Sequence, residues 1–199
     1  MKIGVLAMQG AFAEHIDRLN QLGVETLPVR LVDDLAGLDG LIIPGGESTS
    51  IIKLLQDYKL IQEIRDLADN GMAVFGTCAG MILLAKDVTD FNLEPLGIID
   101  ISVKRNAFGR QKESFETELL IPILGFQSFP AVFIRAPLIK QVGSNVEIIA
   151  RLSDNTIVAV QQGKILVSAF HPELTDDLRF HQYFLDIVDG HHKKYQVDN

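Results

Sequence analysis

The sequence has little of what several classes of protein require. It contains one cysteine, so no internal disulfide can form and a disulfide-stapled secreted scaffold is excluded. Its 18 Lys and Arg against 26 Asp and Glu give a net charge of −8, which disfavours binding to the phosphate backbone of nucleic acids. The first segment, Met1–Gly10, lacks the long apolar stretch of a signal peptide. No apolar run reaches the roughly 18–20 residues that span a bilayer. We therefore expect a soluble protein of a reducing compartment, the cytoplasm.

What is present fits a single globular domain. Of the 199 residues, 47% are hydrophobic and 22% are charged, which provides material for a buried core. We expect one domain over residues 1–190 and a loose polar tail over residues 191–199, because no linker, internal repeat or low-complexity tract interrupts the chain.

Strand-like and helix-like segments alternate in the first half. Short apolar runs predict buried strands over Lys2–Ala7, Val24–Val29, Leu41–Ile43 and Met72–Phe75. Apolar spacings of three and four predict helices over Phe12–Leu22, from Glu47–Ser50 with hydroxyl caps, over Ile61–Ala68 and from Met81. This order predicts an α/β fold, a three-layer sandwich with a mostly parallel central sheet.

The second half contains closely spaced strands instead. They are predicted over Ile98–Val103, Val132–Ile134, Val146–Ala150, Ile157–Val160 and Ile165–Ala169. The short turns between them predict antiparallel additions to the sheet. A helix over Leu174–Val188 is expected to close the domain, and the aperiodic stretch Ala107–Gln127 is expected to be loop-rich.

The only cysteine lies in Gly76-Thr77-Cys78-Ala79-Gly80, between a predicted strand and a predicted helix. This is the G-x-nucleophile-x-G pattern of a nucleophile elbow, in which glycines relieve the crowding of a sharp turn. A thiol there projects from the carboxyl edge of the sheet, and the helix N-terminus stabilises its thiolate. The pattern favours a nucleophilic Cys78, and a small buried structural cysteine is the alternative.

His171-Pro172-Glu173 directly follows the last predicted strand. Residues two apart in an extended segment point the same way, so the tripeptide can place an imidazole and a carboxylate on one side of the chain. Cysteine catalysis needs a base to take the thiol proton and an acceptor to orient that base. Alone, the tripeptide is more typical of a helix start. Together with an elbow cysteine, it predicts a catalytic base.

Pro44-Gly45-Gly46-Glu47-Ser48 ends another predicted strand. Its glycine N–H groups can face an oxyanion together with the N–H of Ala79, although a turn that serves only backbone geometry fits equally well. Arg105 and Arg135 each follow a strand, and each can pair with a surface carboxylate or hold a substrate carboxylate in a bidentate fork.

The remaining histidines carry no metal-ligand spacing. We interpret as surface or helix-face residues His15, His181, His191 and His192. No Walker loop and no G-x-G-x-x-G motif follows a predicted strand, so ATP and dinucleotide sites are unsupported. We expect neither a cofactor nor a bound metal.

Together these motifs resemble the class I glutamine amidotransferases, whose glutaminase domain uses a Cys-His-Glu triad. The segments LAMQGAFAEH, LIIPGGEST, FGTCAGMILLAK, VKRNAFGRQ, VFIRAP and SAFHPELT narrow the resemblance to the glutaminase subunits of pyridoxal 5′-phosphate synthases. RNAFGRQ and FIRAP are the most specific, and the resemblance extends from Met1 to about Val188. It implies the flavodoxin-like fold of the class I glutamine amidotransferases.

The resemblance implies roles for the matching positions. Cys78 is expected to be the nucleophile, His171 the general base and acid, and Glu173 its orienting partner. Gly46 and Ala79 match the oxyanion-hole donors. The positions that match glutamine-binding residues are Gly46, Glu47, Ser48, Arg105, Ile134 and Arg135.

The chain has no room for a domain that uses the ammonia, because the triad spans positions 78 to 173. The resemblance implies a separate (β/α)8 synthase subunit that builds pyridoxal 5′-phosphate from ribose 5-phosphate and glyceraldehyde 3-phosphate, with glutaminases around a dodecameric synthase core. Gln9 matches a position at the interface with that subunit. Adjacent glycines let the Gly45–Gly46 peptide rotate at little cost, so we expect the partner to activate a chain that is a poor glutaminase alone.

Three alternatives stay open at this point. A sister amidotransferase, such as the glutaminase of imidazole glycerol phosphate synthase, shares the chemistry and differs in partner. A cysteine peptidase on a related fold would cleave peptides and ignore free glutamine. In a non-enzymatic binding module Cys78 would be inert, so that a glutamine-like chloroketone or diazoketone would not modify it.

Overall fold

A computed structural model describes residues 1–89, 92–105 and 114–191. The helices in these ranges are α1 (Phe12–Gln21), α2 (Ser48–Asp57), α3 (Leu60–Asp69), α4 (Ala79–Leu84) and α5 (Arg179–Val188). The strands are β1 (Lys2–Leu6), β2 (Glu25–Val29), β3 (Gly40–Ile43), β4 (Ala73–Thr77), β5 (Ala85–Thr89), β6 (Ile99–Lys104), β7 (Ser114–Leu119), β8 (Phe129–Ile134), β9 (Leu138–Val142), β10 (Glu147–Arg151), β11 (Ile157–Gln162) and β12 (Ile165–Ser168).

A seven-stranded sheet in the order β10-β11-β12-β4-β3-β1-β2 forms the centre of the molecule. Strands β12, β4, β3, β1 and β2 are parallel, and β11 and β10 are added antiparallel beyond β12. The prediction of a mostly parallel sheet with antiparallel additions is confirmed. Ile43 pairs with Gly76 and Thr77 pairs with Ser168, so the carboxyl ends of β3, β4 and β12 lie level with one another.

Helices cover both faces of this sheet. On one face, α1 and α5 meet through a hydrogen bond between His15 and His181, and the Phe75 ring of β4 packs on Phe180 and Phe184 of α5. On the other face, α2 contacts both α3 and α4. The strands between the two layers are buried on both sides, which is why β3, β4 and β12 are continuous apolar runs instead of alternating ones.

Two smaller units lie beside the main sheet. One is a three-stranded sheet in the order β5-β6-β9, and the other is the antiparallel hairpin β7–β8. The predicted strands Ile98–Val103 and Val132–Ile134 therefore exist, as β6 and β8, but they pair outside the main sheet. The Phe115 and Phe133 rings stack 4.6 Å apart and join the two strands of the hairpin.

Some predicted boundaries are wrong. The last helix begins at Arg179 and not at Leu174, because the Thr175 hydroxyl bonds the Pro172 carbonyl (3.1 Å) and the Asp177 carboxylate caps the Arg179 N–H (3.0 Å). The helix predicted from Met81 begins at Ala79 and ends at Leu84, and β5 begins at Ala85.

The stretch Ala107–Gln127, expected to be loop-rich, contains β7 and a 3-10 turn over Pro122–Leu124. Its first part, residues 107–113, lies outside the described residues. So does most of the predicted tail, residues 192–199. In the parts of the chain that the structure describes, none of the helices combines the length and hydrophobicity of a bilayer crossing.

Candidate active site

Cys78 lies at a sharp turn between β4 and α4, at the carboxyl edge of the parallel strands. Its backbone has φ 49° and ψ −102°, which a residue with a side chain adopts only under strain. The Cys78 N–H donates to the Ser168 carbonyl at the end of β12 (2.8 Å), which holds the turn in place. The side chain is 8% exposed. This is the geometry expected of a nucleophile elbow.

Close packing explains the two glycines of the elbow. A Cβ on Gly80 would collide with the carbonyl oxygen of Ile43 in β3, and a Cβ on Gly76 would lie 2.7 Å from the backbone of Gly80. Backbone atoms cannot move aside as the end of a flexible side chain can. Helix α4 therefore starts directly against β3 and β4, and this contact fixes Cys78 at the sheet edge.

His171 and Glu173 follow β12 and reach the same edge. The His171 N–H donates to the Val132 carbonyl of β8 (2.8 Å), and Nδ1 of the ring lies 2.7 Å from Oε1 of Glu173. Because Nδ1 is engaged by Glu173, Nε2 is the ring atom left to interact with Cys78, whose thiol donates to the Ile134 carbonyl (3.7 Å). An imidazole between a thiol and a carboxylate is the arrangement that a catalytic cysteine requires.

The charges of this group follow from its neighbours. Burial lowers the pKa of His171, but the polar interactions and the charges of Cys78 and Glu173 together outweigh burial and raise the pKa to about 10. Burial raises the pKa of Glu173, but His15 and His171 lower it by more, so the net shift is downward. At neutral pH His171 is an imidazolium between a carboxylate and the sulfur, a form that pairs with a thiolate and can donate a proton.

The loop Pro44–Ser48 passes directly over this imidazole. The Gly45 N–H donates to the Thr77 hydroxyl (3.0 Å), and the Gly45 carbonyl accepts from the Ala11 N–H (3.0 Å). A Cβ on Gly45 would collide with the His171 ring, so only glycine fits there. Ala79 opens α4, and the N–H groups of a helix's first turn have no partner within the helix.

Gln9 and Glu47 hold the far end of this loop. Oε1 of Gln9 accepts the Glu47 N–H (2.7 Å). The Glu47 carboxylate caps α2 by accepting the N–H groups of Thr49 (2.9 Å) and Ser50 (2.7 Å), so the helix cap is a carboxylate and not the predicted hydroxyl. Partial burial raises the pKa of Glu47, but the hydrogen bonds from Ser50 and Thr49 have the larger effect and lower the pKa to about 2.

A cavity of about 480 Å³ opens above the cysteine. The predicted site residues in its wall are Gly46, Glu47, Ser48, Cys78, Ala79, Arg105, Ile134, Arg135 and His171. The structure thus brings the predicted substrate-binding, oxyanion and reacting groups to one space. Glu173 lies behind His171 and is fully buried, and Gln9 lies against the loop Pro44–Ser48.

The ends of β6 and β8 supply the outer wall of the cavity. An Arg105 guanidinium nitrogen lies 3.5 Å from Oε1 of Glu47, which makes a pair of opposite charges. The Ile134 carbonyl lies 3.7 Å from Sγ of Cys78. Arg135 has φ 44°, a strained conformation that turns the chain just after β8. In the ranges described, no three His, Cys, Asp or Glu side chains converge as metal ligands would.

Two histidines lie on helices, as one part of the interpretation had it, but contradict its surface placement. His15 and His181 are fully buried, not surface residues, and Nδ1 of His15 lies 2.9 Å from Nε2 of His181. Nε2 of His15 lies 3.2 Å from Oγ1 of Thr77 and 3.4 Å from Oε2 of Glu173. A signal was available: His15 follows Phe12 by three residues and precedes Leu19 by four, which places it on the apolar face of α1.

Comparisons with known proteins agree with this geometry. The model of the SNO glutamine amidotransferase family matches residues 5–189. Relatives named pyridoxal 5′-phosphate synthase subunit PdxT include one from Herpetosiphon aurantiacus, 56% identical over 190 residues, which are 94% of this chain and 100% of the relative. Another, from Carboxydothermus hydrogenoformans, is 55% identical over 188 residues, which are 94% of this chain and 98% of the relative.

Solved structures agree as well. One described as a glutamine amidotransferase has a TM-score of 0.90 and 50% identity, and the match covers 94% of this chain and 98% of the other. PurLQS from Thermotoga maritima has a TM-score of 0.68 at 17% identity over 93% of this chain and 97% of the other, and it shares the fold alone. The resemblance found in the motifs is confirmed: the chain belongs to the SNO glutamine amidotransferase family.

Proposed function

We propose that this chain is the glutaminase subunit of a pyridoxal 5′-phosphate synthase. It hydrolyses L-glutamine to L-glutamate and ammonia, and the ammonia passes to a separate synthase subunit that makes pyridoxal 5′-phosphate from ribose 5-phosphate and glyceraldehyde 3-phosphate. One observation carries the proposal: an elbow cysteine, an imidazole–carboxylate pair and a glycine loop surround one cavity in a chain whose relatives are named PdxT. The family also favours this reading over a sister amidotransferase or a peptidase.

The charges around the cavity suit the head group of an amino acid. Free glutamine carries an α-carboxylate and an α-ammonium, and the outer wall offers Arg105 and Arg135 beside the carboxylate of Glu47. We assign the arginines to the α-carboxylate and Glu47 to the ammonium side. Ser48 and the Ile134 carbonyl add polar contacts near the sulfur. The side-chain amide then extends toward Cys78.

The reaction follows from the groups around the sulfur. The Cys78 thiolate attacks the amide carbon, and the oxyanion that forms is held by the N–H groups of Gly46 and Ala79. Protonated His171 gives its proton to the leaving nitrogen, so that ammonia departs and a thioester remains. Neutral His171 then takes a proton from water, whose hydroxide attacks the thioester and releases glutamate. Glu173 keeps Nδ1 of His171 protonated throughout.

The partner in this proposal is a (β/α)8 synthase subunit, with glutaminases around a dodecameric core. Gln9 contacts the oxyanion loop through the Glu47 N–H, so a protein bound beside Gln9 can act on that loop. We propose that residues 1–190 form the single glutaminase domain. We place the reaction in the cytoplasm, because the single cysteine must remain a free thiol to react and thiols stay reduced in that compartment.

A coupled assay tests the proposal. Glutamate release from L-glutamine is measured with and without the synthase subunit, and the synthase subunit of imidazole glycerol phosphate synthase serves as the control partner. We expect activity that depends on the pyridoxal 5′-phosphate synthase subunit. Peptide cleavage without glutamine hydrolysis would support the peptidase, and activation by an imidazole glycerol phosphate synthase partner would support the sister enzyme.

A further inference from the structure

A polar cluster lies at the oxygen of Glu173 that does not contact His171. Oε2 of Glu173 is 3.4 Å from Nε2 of His15, and that same nitrogen is 3.2 Å from Oγ1 of Thr77. His15 is backed by His181, at 2.9 Å. Both histidines are fully buried, and the reaction as derived above uses neither of them. Buried imidazoles are costly unless they are hydrogen-bonded, so the pair calls for a physical explanation.

The hydrogen bonds select one arrangement of protons. Burial lowers the pKa of His15 and of His181, so both rings are neutral and each carries a single N–H. With the proton of His15 on Nε2, that N–H donates to the Thr77 hydroxyl and lies beside the Glu173 carboxylate, 3.4 Å from Oε2. The bare Nδ1 of His15 then accepts from the Nε2–H of His181.

The opposite arrangement, with the proton of His15 on Nδ1 and that of His181 on Nδ1, is disfavoured at two atoms. It would turn a lone pair of His15 toward Oε2 of Glu173, an atom that has no regular hydrogen bond among the described residues. It would also put a proton on Nδ1 of His181, which likewise finds no partner in the ranges that the structure describes. A buried N–H without an acceptor loses its full hydration energy. The cluster is satisfied best when His15 donates from Nε2.

We propose that His15 is a positioning residue of the glutaminase: as the Nε2–H tautomer, fixed by His181, it orients both the far oxygen of Glu173 and the hydroxyl of Thr77. The inference rests on the proposed function, because it adds His15 to that same site. Glu173 orients His171, and Thr77 accepts the Gly45 N–H of the oxyanion loop (3.0 Å). One buried ring therefore sets the geometry of the base and of the loop.

Two substitutions separate positioning from packing. His15→Leu fills the same space with an apolar side chain of similar bulk and removes the donor, whereas His15→Gln keeps an N–H that can reach Glu173. With the synthase subunit present, we expect His15→Leu to lower kcat by about 10- to 100-fold, the effect of removing a buried N–H that bonds Thr77 and faces the Glu173 carboxylate. KM should stay within about twofold, since His15 does not touch the cavity. His15→Gln should recover most of the lost kcat.

His191→Leu is the matched control, because it removes an exposed histidine at the end of α5. It should leave kcat and the unfolding temperature unchanged. The proposal is overturned by a His15→Leu enzyme with full kcat, by a loss confined to KM, or by equal losses in the Leu and Gln variants at equal stability. A wild-type chain without any glutaminase activity would instead overturn the proposed function.

A measurement on the unmodified chain keeps the proposal testable if His15→Leu fails to fold. Long-range ¹H–¹⁵N correlation spectra distinguish protonated from bare ring nitrogens in histidine labelled with ¹⁵N. We expect His15 to be protonated at Nε2 and bare at Nδ1, with His181 also protonated at Nε2. A proton on Nδ1 of His15 would overturn the proposal without any activity assay.

Discussion

The two sides of the cavity are built differently. Cys78, His171 and the Gly45 loop stand on the carboxyl ends of β4, β12 and β3, which are adjoining strands of one buried sheet. Arg105 and Arg135 stand on the ends of β6 and β8, which belong to two small units outside that sheet. The reacting groups are therefore fixed by the core, and the charged groups that face the substrate come from the periphery.

This difference separates two demands on the site. Bond-making needs atoms held to a fraction of an ångström, and a doubly covered sheet with backbone-to-backbone contacts such as Gly80 on Ile43 supplies that rigidity. Binding of a charged head group tolerates more movement, since Coulomb attraction falls off slowly with distance. Substitutions in the core side should therefore change kcat, and those in the outer side should change KM.

The largest effect is expected at the sulfur. Cys78→Ala should reduce glutamine hydrolysis by at least about a thousandfold, because it removes the only thiol of the chain and with it the thioester route. The fold should survive, since one small side chain replaces another. Steady-state assay and thermal unfolding check both statements. Activity above a few per cent of the wild type would remove Cys78 from its assigned role.

Substitutions of His171 and Glu173 test the separate roles assigned to the base and to the carboxylate that orients it. His171→Ala should cost more kcat than Glu173→Ala, by about 10- to 100-fold, because loss of the carboxylate misorients the base without deleting it. The reverse order would contradict the assignment.

The pH profile gives a second test of the same pair. Glu173 helps to raise the pKa of His171 to about 10, so Glu173→Gln should lower that pKa. Since protonated His171 delivers the leaving-group proton, the alkaline limb of kcat should move to lower pH in Glu173→Gln. The Glu63→Gln enzyme, changed at a half-buried position of α3, is the control and should keep the wild-type profile. An unmoved limb in Glu173→Gln would count against the charge-state argument.

On the outer side, Arg105→Ala and Arg135→Ala should mainly raise KM. Loss of a charged hydrogen bond to the α-carboxylate is expected to reduce kcat/KM by roughly 30- to 1000-fold. Arg151→Ala, at the far edge strand β10, is a matched control and should bind glutamine normally. A large loss of kcat at unchanged KM in either arginine variant would contradict the assignment of the outer side to substrate binding.

The smallest effect is expected where the two sides meet. Gln9→Ala removes the acceptor of the Glu47 N–H and should change kcat/KM of the isolated chain by only about two- to fivefold, the value of one neutral hydrogen bond. It should also reduce the activation by the synthase subunit. Activation equal to that of the wild type would separate Gln9 from the response to the partner.

The buried strands and the reacting residues were predictable for related reasons. The runs at β1, β3, β4 and β12 carry polar residues only at their ends because helices cover both faces, and such runs stand out in a sequence. Cys78 and His171 follow two of these runs and carry glycine or proline signals beside them. The apolar runs therefore predicted the sheet, and the motifs that directly follow them predicted the site.

Strands β5 and β7 and the partners of the buried histidines were not predictable from local pattern. Strand β5 is AKDVT and β7 is SFETEL, polar sequences whose pairing depends on β6 and β8 farther along the chain. His15 is satisfied by Thr77 and His181, which lie 62 and 166 residues away. A polar side chain can be buried only when such distant partners exist, and single-segment periodicity does not contain them.

The sulfur of Cys78 also provides a single site for chemical labelling. Cys78 is the only thiol of the chain, so any thiol-directed dye can be attached at one position and no other. Because it is 8% exposed at the floor of a cavity of about 480 Å³, reagents of increasing size should label it at decreasing rates. The labelling rates of a series of such reagents would measure the width of the cavity mouth. In a mixture with the synthase, the fraction of chains that carry a dye would give the fraction of accessible sites.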